Sequence, residues 1–302
     1  MRKTFRTSLL ILFTVLGSCK PTTSESKKND VLKHELNGKV KSVKDKYYKE
    51  IKLNEKNDTI LYTGFRIIEF NNSGNVSFEK TGNKYNPETS KTIFEYSENK
   101  LTRKIYYSYG VLYSETYYIR DENGFLTTKK TIYIKNKSSE KVDYINNSNG
   151  KTIKQIDYDN NGKILGRKEL FYNKKKELIQ TISSRTNIEF YNNFKFKYDS
   201  KGNRIEEKNY SKNGKITYNW NYQYDRNNRR KMISEGYKNK INNIASFSYD
   251  EYGNVIKESY TGERQYINQY DYQYDSSNNW LQMRKIRNSQ FEQITKREIT
   301  YY

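Results

Sequence analysis

Few residues of this 302-residue chain could carry covalent or acid–base chemistry. Cys19 is the only cysteine and His34 the only histidine, so a nucleophilic triad, an imidazole acid–base pair or a histidine-rich metal site would depend on one side chain. A carboxylate pair could still act on glycosidic bonds. The aspartates that stand out recur at a nearly constant interval: Asp199, Asp225, Asp250 and Asp275. This recurrence favours a structural role in turns, and we expect no enzyme, no metal site and no cofactor.

The position of Cys19 suggests a different chemistry, which is acylation. A basic start with Arg2, Lys3 and Arg6 precedes an apolar run over residues 9–16. This run is too short to span a bilayer, which takes ~20 apolar residues, but it has the length of a signal-peptide core. It ends in Leu-Gly-Ser-Cys at residues 16–19, which resembles the lipobox of bacterial lipoproteins. The resemblance implies a signal peptide at 1–18 and a lipid on the Cys19 thiol.

The segment that follows Cys19 is predicted to be a flexible tether. Residues 19–35 are polar and show no apolar period, and His34 lies within them. More than one acyl chain on Cys19 would hold the body stably at a membrane, whereas one chain binds only marginally. Because Lys20 and not an acidic residue follows Cys19, we expect the outer membrane. The sequence leaves open which side of that membrane the protein faces.

Composition limits both the core and the partners. Hydrophobic residues make up 33% of the chain, with 31 Tyr against 13 Phe, which favours rings packed on surfaces that stay partly wet. The net charge is +21, or +18 once the three basic residues of the signal are removed. The Lys and Arg residues are scattered along the whole chain and do not form a basic patch, and over-use of AT-rich codons would also explain them. Nucleic acid is therefore not an expected partner.

One phrase recurs through the chain: an aromatic residue, Asp or Asn, two polar residues, then Gly or Asn. Examples are YDSKGN at 198–203 and YDEYGN at 249–254. The Gly slot returns every 24 to 26 residues, which gives about ten units of ~25 residues. Gly and Asn reach positive φ at low cost, so each phrase predicts a tight turn, and a second turn falls near the middle of each unit. The predicted turn glycines are Gly74, Gly124, Gly150, Gly162, Gly202 and Gly253.

Between the turns, the residues alternate as in half-buried strands. Tyr218, Trp220 and Tyr222 share one face, and Trp280 lies further along the chain. The sequence predicts an all-β fold of tandem antiparallel β-hairpins that form an elongated, twisted or partly curled sheet over residues 36–302. A twenty-strand membrane barrel is the competing geometry. We do not favour it, because the strands lack a continuous lipid-facing apolar band.

The repeated phrase resembles the YD, or RHS-type, repeat. Together with the lipobox and the opening LNGKVKSV at 36–43, it resembles YD-repeat lipoproteins of Bacteroidota. In large RHS proteins such repeats form a spiralling β-shell around a toxin. The resemblance implies architecture and says little about activity.

Several functional hypotheses remain open. The leading one is a non-catalytic, monomeric cell-envelope lipoprotein that acts as an interaction or scaffold module through its Tyr-rich sheet, with a protein or glycan partner. An alternative, implied only by the RHS resemblance, is an accessory or immunity-like partner of a secreted toxin system. A more distant alternative is a surface protein that stacks sugar rings on its aromatic face. We favour the interpretation that this face is simply the thin core of the sheet: Tyr218, Trp220, Tyr222 and Trp280.

The lipobox generates the first prediction. Cys19→Ala should release the protein from the membrane fraction or stall its processing, because the thiol is the attachment point of the lipid. Fractionation and immunoblotting of envelope extracts would measure this, with Ser18→Ala as the control that keeps both a small residue and the thiol. Normal membrane retention of Cys19→Ala would contradict the lipoprotein assignment.

Overall fold

The computed structural model describes residues 30–52, 58–186, 190–238, 240–263 and 265–302. The predicted signal peptide, Cys19 and most of the predicted tether lie outside the described residues. Within them the chain forms one short helix and twenty strands. Their bounds are α1 Asp30–Lys33, β1 Val40–Lys52, β2 Asp58–Phe70, β3 Val76–Asn83, β4 Ser90–Ser97, β5 Lys100–Ser108, β6 Val111–Arg120, β7 Leu126–Tyr133, β8 Ser138–Asn146, β9 Thr152–Tyr158, β10 Ile164–Tyr172, β11 Leu178–Arg185, β12 Phe190–Tyr198, β13 Arg204–Tyr210, β14 Ile216–Tyr224, β15 Arg230–Tyr237, β16 Lys240–Tyr249, β17 Val255–Thr261, β18 Tyr266–Tyr274, β19 Trp280–Arg287 and β20 Gln290–Tyr301.

The strands close into a barrel. Each pairs antiparallel with the next, and β1 pairs with both β2 and β20. The prediction of antiparallel hairpins in an all-β fold is confirmed, but the elongated or partly curled open sheet is wrong. An open sheet would leave the backbone groups of two edge strands unpaired. Strand twist coils the sheet until those two edges meet, and β1 and β20 bond from Ser42–Thr300 to Lys49–Gln293.

Two ion pairs cross the closing seam, one on each wall of the barrel. On the inner wall, Arg297 binds Asp45 through two hydrogen bonds of 2.7 and 2.9 Å, and both side chains are largely buried. On the outer wall, Lys46 pairs with Glu298 in a solvent-exposed position. Because the inner pair is desolvated and doubly hydrogen-bonded, it holds the seam in one register.

The phrases that recur every 24 to 26 residues form turns, most of them of five residues, which we call repeat turns. In the turn at 199–203, Asp199 Oδ1 accepts hydrogen bonds from the backbone amides of Lys201 and Asn203, both at 2.9 Å. Gly202 takes a φ of +82°, which costs a residue without Cβ little. Asp225 and Asp275 each accept two backbone amides in the same way, and Asp250 accepts the amide of Asn254.

Repeat turns all lie at one end of the barrel, the repeat-turn end, and the mid-unit turns lie at the other, the far end. Gly74, Gly124, Gly150 and Gly253 lie at the repeat-turn end, and Gly162 lies at the far end, all with φ between +73° and +97°. Where the glycine is replaced, Lys176, Asn228 and Asn278 adopt the same left-handed conformation. The strand register shifts beside each repeat turn, for example at Tyr198 opposite Arg204. Such bulges increase local twist and so favour closure.

The aromatic face of the strands forms the inner wall. Most buried strand residues lie on this face, whereas residues of the outer wall such as Ile179 and Ile267 are exposed. Buried residues of the inner wall include Val43, Ile68, Thr181, Ala245 and Asn268.

Residues 30–37 close part of the repeat-turn end. Val31 and Leu36 are buried in the apolar cluster of the barrel, and Val31 N donates to Gly74 O at 3.0 Å. Asn37 N donates to Asn279 Oδ1 at 2.7 Å. Residues 30–35, which the sequence assigns to the tether, thus pack against the barrel. None of the described helices is long and apolar enough to cross a bilayer.

The seam generates the second prediction. Asp45→Ala should destabilise the barrel by about 3–5 kcal/mol, because it leaves the Arg297 charge buried without its partner. Lys46→Ala, the next residue on the same seam, should leave the melting temperature nearly unchanged, because its ion pair is exposed. Thermal unfolding followed by circular dichroism compares the two variants. Equal melting temperatures would show that the inner pair does not hold the seam.

Candidate functional site

A ladder of tyrosine hydroxyls joins successive repeats on the inner wall. Tyr198 OH donates to the backbone carbonyl of Leu178, and Tyr224 OH to that of Arg204, both at 2.8 Å. In each case the acceptor lies 20 residues earlier, on the first residue after the preceding repeat turn. The same bond joins Tyr96 to Val76, Tyr172 to Thr152 and, at 19 residues, Tyr249 to Arg230. Phenylalanine could not make this bond, which explains why tyrosine is preferred.

Burial makes several tyrosines of the inner wall weaker acids than free tyrosine. Loss of solvent, reinforced by the charge of Asp30, raises the pKa of Tyr96 to about 12. Burial is also the largest cause of the raised pKa values of Tyr222, Tyr270, Tyr272 and Tyr274. The inner wall therefore presents neutral hydroxyls and aromatic rings.

A cavity of about 530 Å³ opens on the inner wall along β16–β19. Tyr270, Tyr272 and Trp280 form its aromatic side, and Glu35 reaches it from the segment that closes the repeat-turn end. Tyr272 and Trp280 lie at 6.3 Å between ring centroids, and the Arg297 guanidinium stacks on Trp280 at 3.4 Å. The closing seam therefore also supports one wall of the cavity.

Hydrogen-bond acceptors face this cavity. Asn268 is only 4% exposed; its Nδ2 donates to Glu258 Oε2 at 2.8 Å, while its Oδ1 accepts no hydrogen bond from any described residue. Tyr270 OH also donates to Glu258, at 3.4 Å. A buried amide oxygen without a donor is costly, and a ligand hydroxyl or ammonium would satisfy it.

Donors lie on the neighbouring strand. Lys285 and Arg287 also line the cavity, and Lys285 Nζ contacts Glu292 at 2.7 Å. Arg287 stacks over the Tyr266 ring at 4.5 Å. The cavity thus combines aromatic rings, acceptors and donors, which is the set of groups that a polar ligand with apolar faces requires.

The predicted aromatic residues all lie on the inner wall but not at one site. Trp220 and Tyr222 line a second cavity of about 160 Å³, together with Glu235. Tyr218 stacks against Trp220 at 5.9 Å towards the far end and is 38% exposed. Trp280 lines the first cavity.

Sequence reasoning missed Asn268, Glu258 and Lys285. The alternation of β18 could have indicated Asn268, because it shares the parity of Tyr270 and Tyr272 and is a polar residue on an aromatic face. For Glu258 and Lys285 no comparable signal exists, because charged residues occur on both faces of the strands.

His34 is half-buried and not a solvated linker residue. Its ring meets Phe70 edge-on at 5.8 Å, and burial is the largest cause that lowers the pKa of its imidazole. Among the residues described, no group of three or more His, Cys, Asp or Glu side chains could hold a metal ion.

Comparison with known proteins leaves the family open. No family model matches the chain, and no curated protein matches it. The YD-repeat lipoprotein resemblance therefore stays a prediction.

Several solved structures are similar over much of this chain. A Photorhabdus luminescens Tc holotoxin pore is 10% identical, with a TM-score of 0.41 over 78% of this chain and 15% of that one. A TcdB2–TccC3–Cdc42 structure is 13% identical, with a TM-score of 0.41 over 75% of this chain and 13% of that one. A porin-like protein from Bacteroides uniformis is 11% identical, with a TM-score of 0.34 over 86% of this chain and 98% of that one. This chain thus spans only about one seventh of the Tc toxin chains that it resembles.

The tyrosine ladder generates the third prediction. The raised pKa values mean that the folded state favours the neutral hydroxyl. The contribution of these tyrosines to the stability of the fold is therefore complete below pH ~10, the pH at which tyrosine ionises in the unfolded chain. It is lost as the pH rises through the folded pKa, which is about 12 for Tyr96. Tyrosinate absorbance and circular dichroism, recorded together, should show the inner tyrosines ionising only as the β-structure is lost.

Two variants make this test specific. Tyr96→Phe should destabilise the fold at neutral pH by about 0.5–1.5 kcal/mol through its lost hydrogen bond. Tyr109→Phe, at an exposed far-end turn, should not. Inner tyrosines that titrate near pH ~10 in an intact fold would contradict the assignment.

Proposed function

We propose that this protein is a non-catalytic binding module of the cell envelope, held at a membrane through Cys19, which takes a polyhydroxylated ligand such as a glycan inside the barrel. The observation that carries the proposal is the buried Asn268, which lines an aromatic cavity and whose amide oxygen has no donor among the described residues. The proposed interaction surface is the aromatic sheet face that the sequence indicates, here closed into the inner wall of the barrel.

The chemistry of the cavity suits a sugar. A pyranose has apolar C–H faces that pack on rings such as Tyr270, and hydroxyls that both donate and accept hydrogen bonds. Asn268 Oδ1 and Glu258 would accept from hydroxyls, while Lys285 and Arg287 would donate to ring oxygens or acidic substituents. The volume of about 530 Å³ lies within the range of small-ligand sites.

Binding is favoured over catalysis because the carboxylates of this wall are engaged. Glu258 is held by Asn268 and Tyr270, and Glu292 is paired with Lys285. Glycoside hydrolysis needs one carboxyl kept as a proton donor and another as nucleophile or base. Glu258 and Glu292 instead each accept from neighbouring side chains, which fixes them in place. Carboxylates held in this way are suited to orienting a ligand as hydrogen-bond acceptors.

The fourth prediction tests this function. An oligosaccharide array should identify a ligand for the purified chain, and Asn268→Ala should weaken its binding by up to about tenfold, the equivalent of a lost hydrogen bond of ~1.4 kcal/mol. Titration calorimetry measures the affinity. Asn219→Ala is the matched control, because Asn219 is also buried with an unpaired Oδ1 among the described residues but lies on the outer wall of β14.

Two outcomes would contradict the proposal. One is an array without any bound oligosaccharide. The other is an affinity that Asn268→Ala and Asn219→Ala alter equally.

A further inference from the structure

An unpartnered ring of aliphatic and aromatic side chains surrounds the outer wall at the repeat-turn end. We call it the apolar belt. Its members are between 36% and 52% exposed, and several of them lie on neighbouring strands. They are Ile119, Ile145, Ile153, Phe171, Ile179, Ile205, Ile256 and Leu281.

The belt follows from the geometry of the repeat turns. Ile145 lies two residues before the turn at 147–151, and Ile153 lies two residues after it. The register shift beside this turn leaves Thr152 bonded to Asn146 on the inner wall and directs Ile153 outward. Because the same shift recurs at the other repeat turns, the exposed side chains lie at one height on the barrel.

The belt is densest on one side of the barrel. Five of its eight members lie on β8–β13: Ile145, Ile153, Phe171, Ile179 and Ile205. Exposed apolar side chains that cluster on neighbouring strands mark an interaction site in soluble proteins.

Charge on the repeat turns follows the same asymmetry. The turns at 147–151, 173–177, 199–203 and 225–229 carry seven Lys or Arg against three Asp or Glu, a net charge of +4. The turns at 121–125, 250–254 and 275–279, which flank the sparse side of the belt, carry five Asp or Glu and no basic residue. The dense side therefore combines apolar side chains with positive charge, which is the pattern that binds an anionic lipid surface.

The start of the described chain points to the same occupant. The bond from Val31 N to Gly74 O fixes the beginning of the chain at the repeat-turn end. Ten residues, 20–29, lie between Cys19 and Asp30, and the eleven steps from one to the other span at most ~40 Å. A lipid on Cys19 would thus keep the repeat-turn end, where the chain enters the barrel, within ~40 Å of the bilayer.

We propose that the barrel docks on the anionic surface of a bilayer through the belt residues of β8–β13 and the basic repeat turns beside them. The proposal extends the proposed function, because it depends on the anchor at Cys19 but not on any ligand in the cavity. Docking in this orientation tilts the barrel onto its basic side and leaves the far end open to the surrounding solution.

The experiment compares two labelled positions in the full, acylated chain on vesicles that contain anionic lipid. Ile145→Cys and Ile267→Cys are matched, because both lie on the outer wall and are 46% and 44% exposed, at the repeat-turn end and the far end respectively. Each new cysteine carries an environment-sensitive dye, and spin-labelled lipids quench it by contact. Quenching should be several-fold stronger at position 145 than at position 267.

A charge variant tests the basic turns. Lys174→Gln, Lys175→Gln and Lys176→Gln together should reduce quenching at position 145, and so should vesicles of neutral lipid alone. Quenching that is equal at the two positions, or stronger at position 267, would overturn docking. A dye at position 145 that is protected from water but not quenched by lipid would also overturn it and would indicate a protein partner.

Failure of the anchor is a distinguishable result. An unacylated Cys19 would take up a second dye, and the chain would leave the vesicles, which would overturn the anchor and the docking together. An acylated chain with an unquenched dye at position 145 would overturn docking alone.

Discussion

The bond from a repeat tyrosine to the carbonyl just after the preceding repeat turn is the interaction on which the rest of the structure depends. A single hairpin of two short strands is marginal in water, and its strand ladder fixes only its immediate neighbours. The hydroxyls of Tyr198 on β12 and Tyr224 on β14 donate to the first residue of the adjacent strand, β11 or β13, and so tie two successive repeat turns together across the hairpin between them. Each such bond contributes only ~1 kcal/mol, but the series sets a common height and register for successive repeats. Closure of the barrel requires that common register.

On the inner wall, the same residues can form the core of the sheet and also a binding surface. The polar tips of Tyr272 and Tyr198 are occupied by backbone carbonyls, so these rings stay in place whether or not a ligand is present. A wall held in this way is preorganised, which lowers the conformational entropy that a ligand would otherwise have to remove. The same residues that stabilise the sheet can thus provide a binding surface of fixed shape.

Local features of the fold could be predicted from the sequence, whereas its closure could not. The turn phrases mark the strand ends, because Asp, Asn and Gly have specific conformational roles there, and the alternation in residues 215–224 identifies the aromatic wall. Closure depends on contacts between residues about 250 apart, such as Asp45 with Arg297. In the sequence, Asp45 lies in a run of charged residues and resembles any exposed strand position.

The candidate site shows the same division. Trp280 and Tyr222 were predictable as members of the aromatic face, but their separation into two cavities depends on the curvature of the barrel. Asn268 gains its importance from burial and from an unmet hydrogen bond, and neither property can be read from residue type. Local pattern thus identifies the wall, while tertiary structure determines which part of it can hold a ligand.

The antiparallel pairing of β1 with β20 has a consequence for how such proteins change in evolution. In a ring where every neighbour runs antiparallel, the number of strands must be even, so the loss or gain of a single strand would place two parallel strands at the seam. A repeat of two strands satisfies this parity automatically. Gene duplication or deletion can therefore alter the circumference by whole repeats while the seam between first and last strand is conserved. The ring size of related chains should differ in steps of one hairpin, and the internal width should change with it.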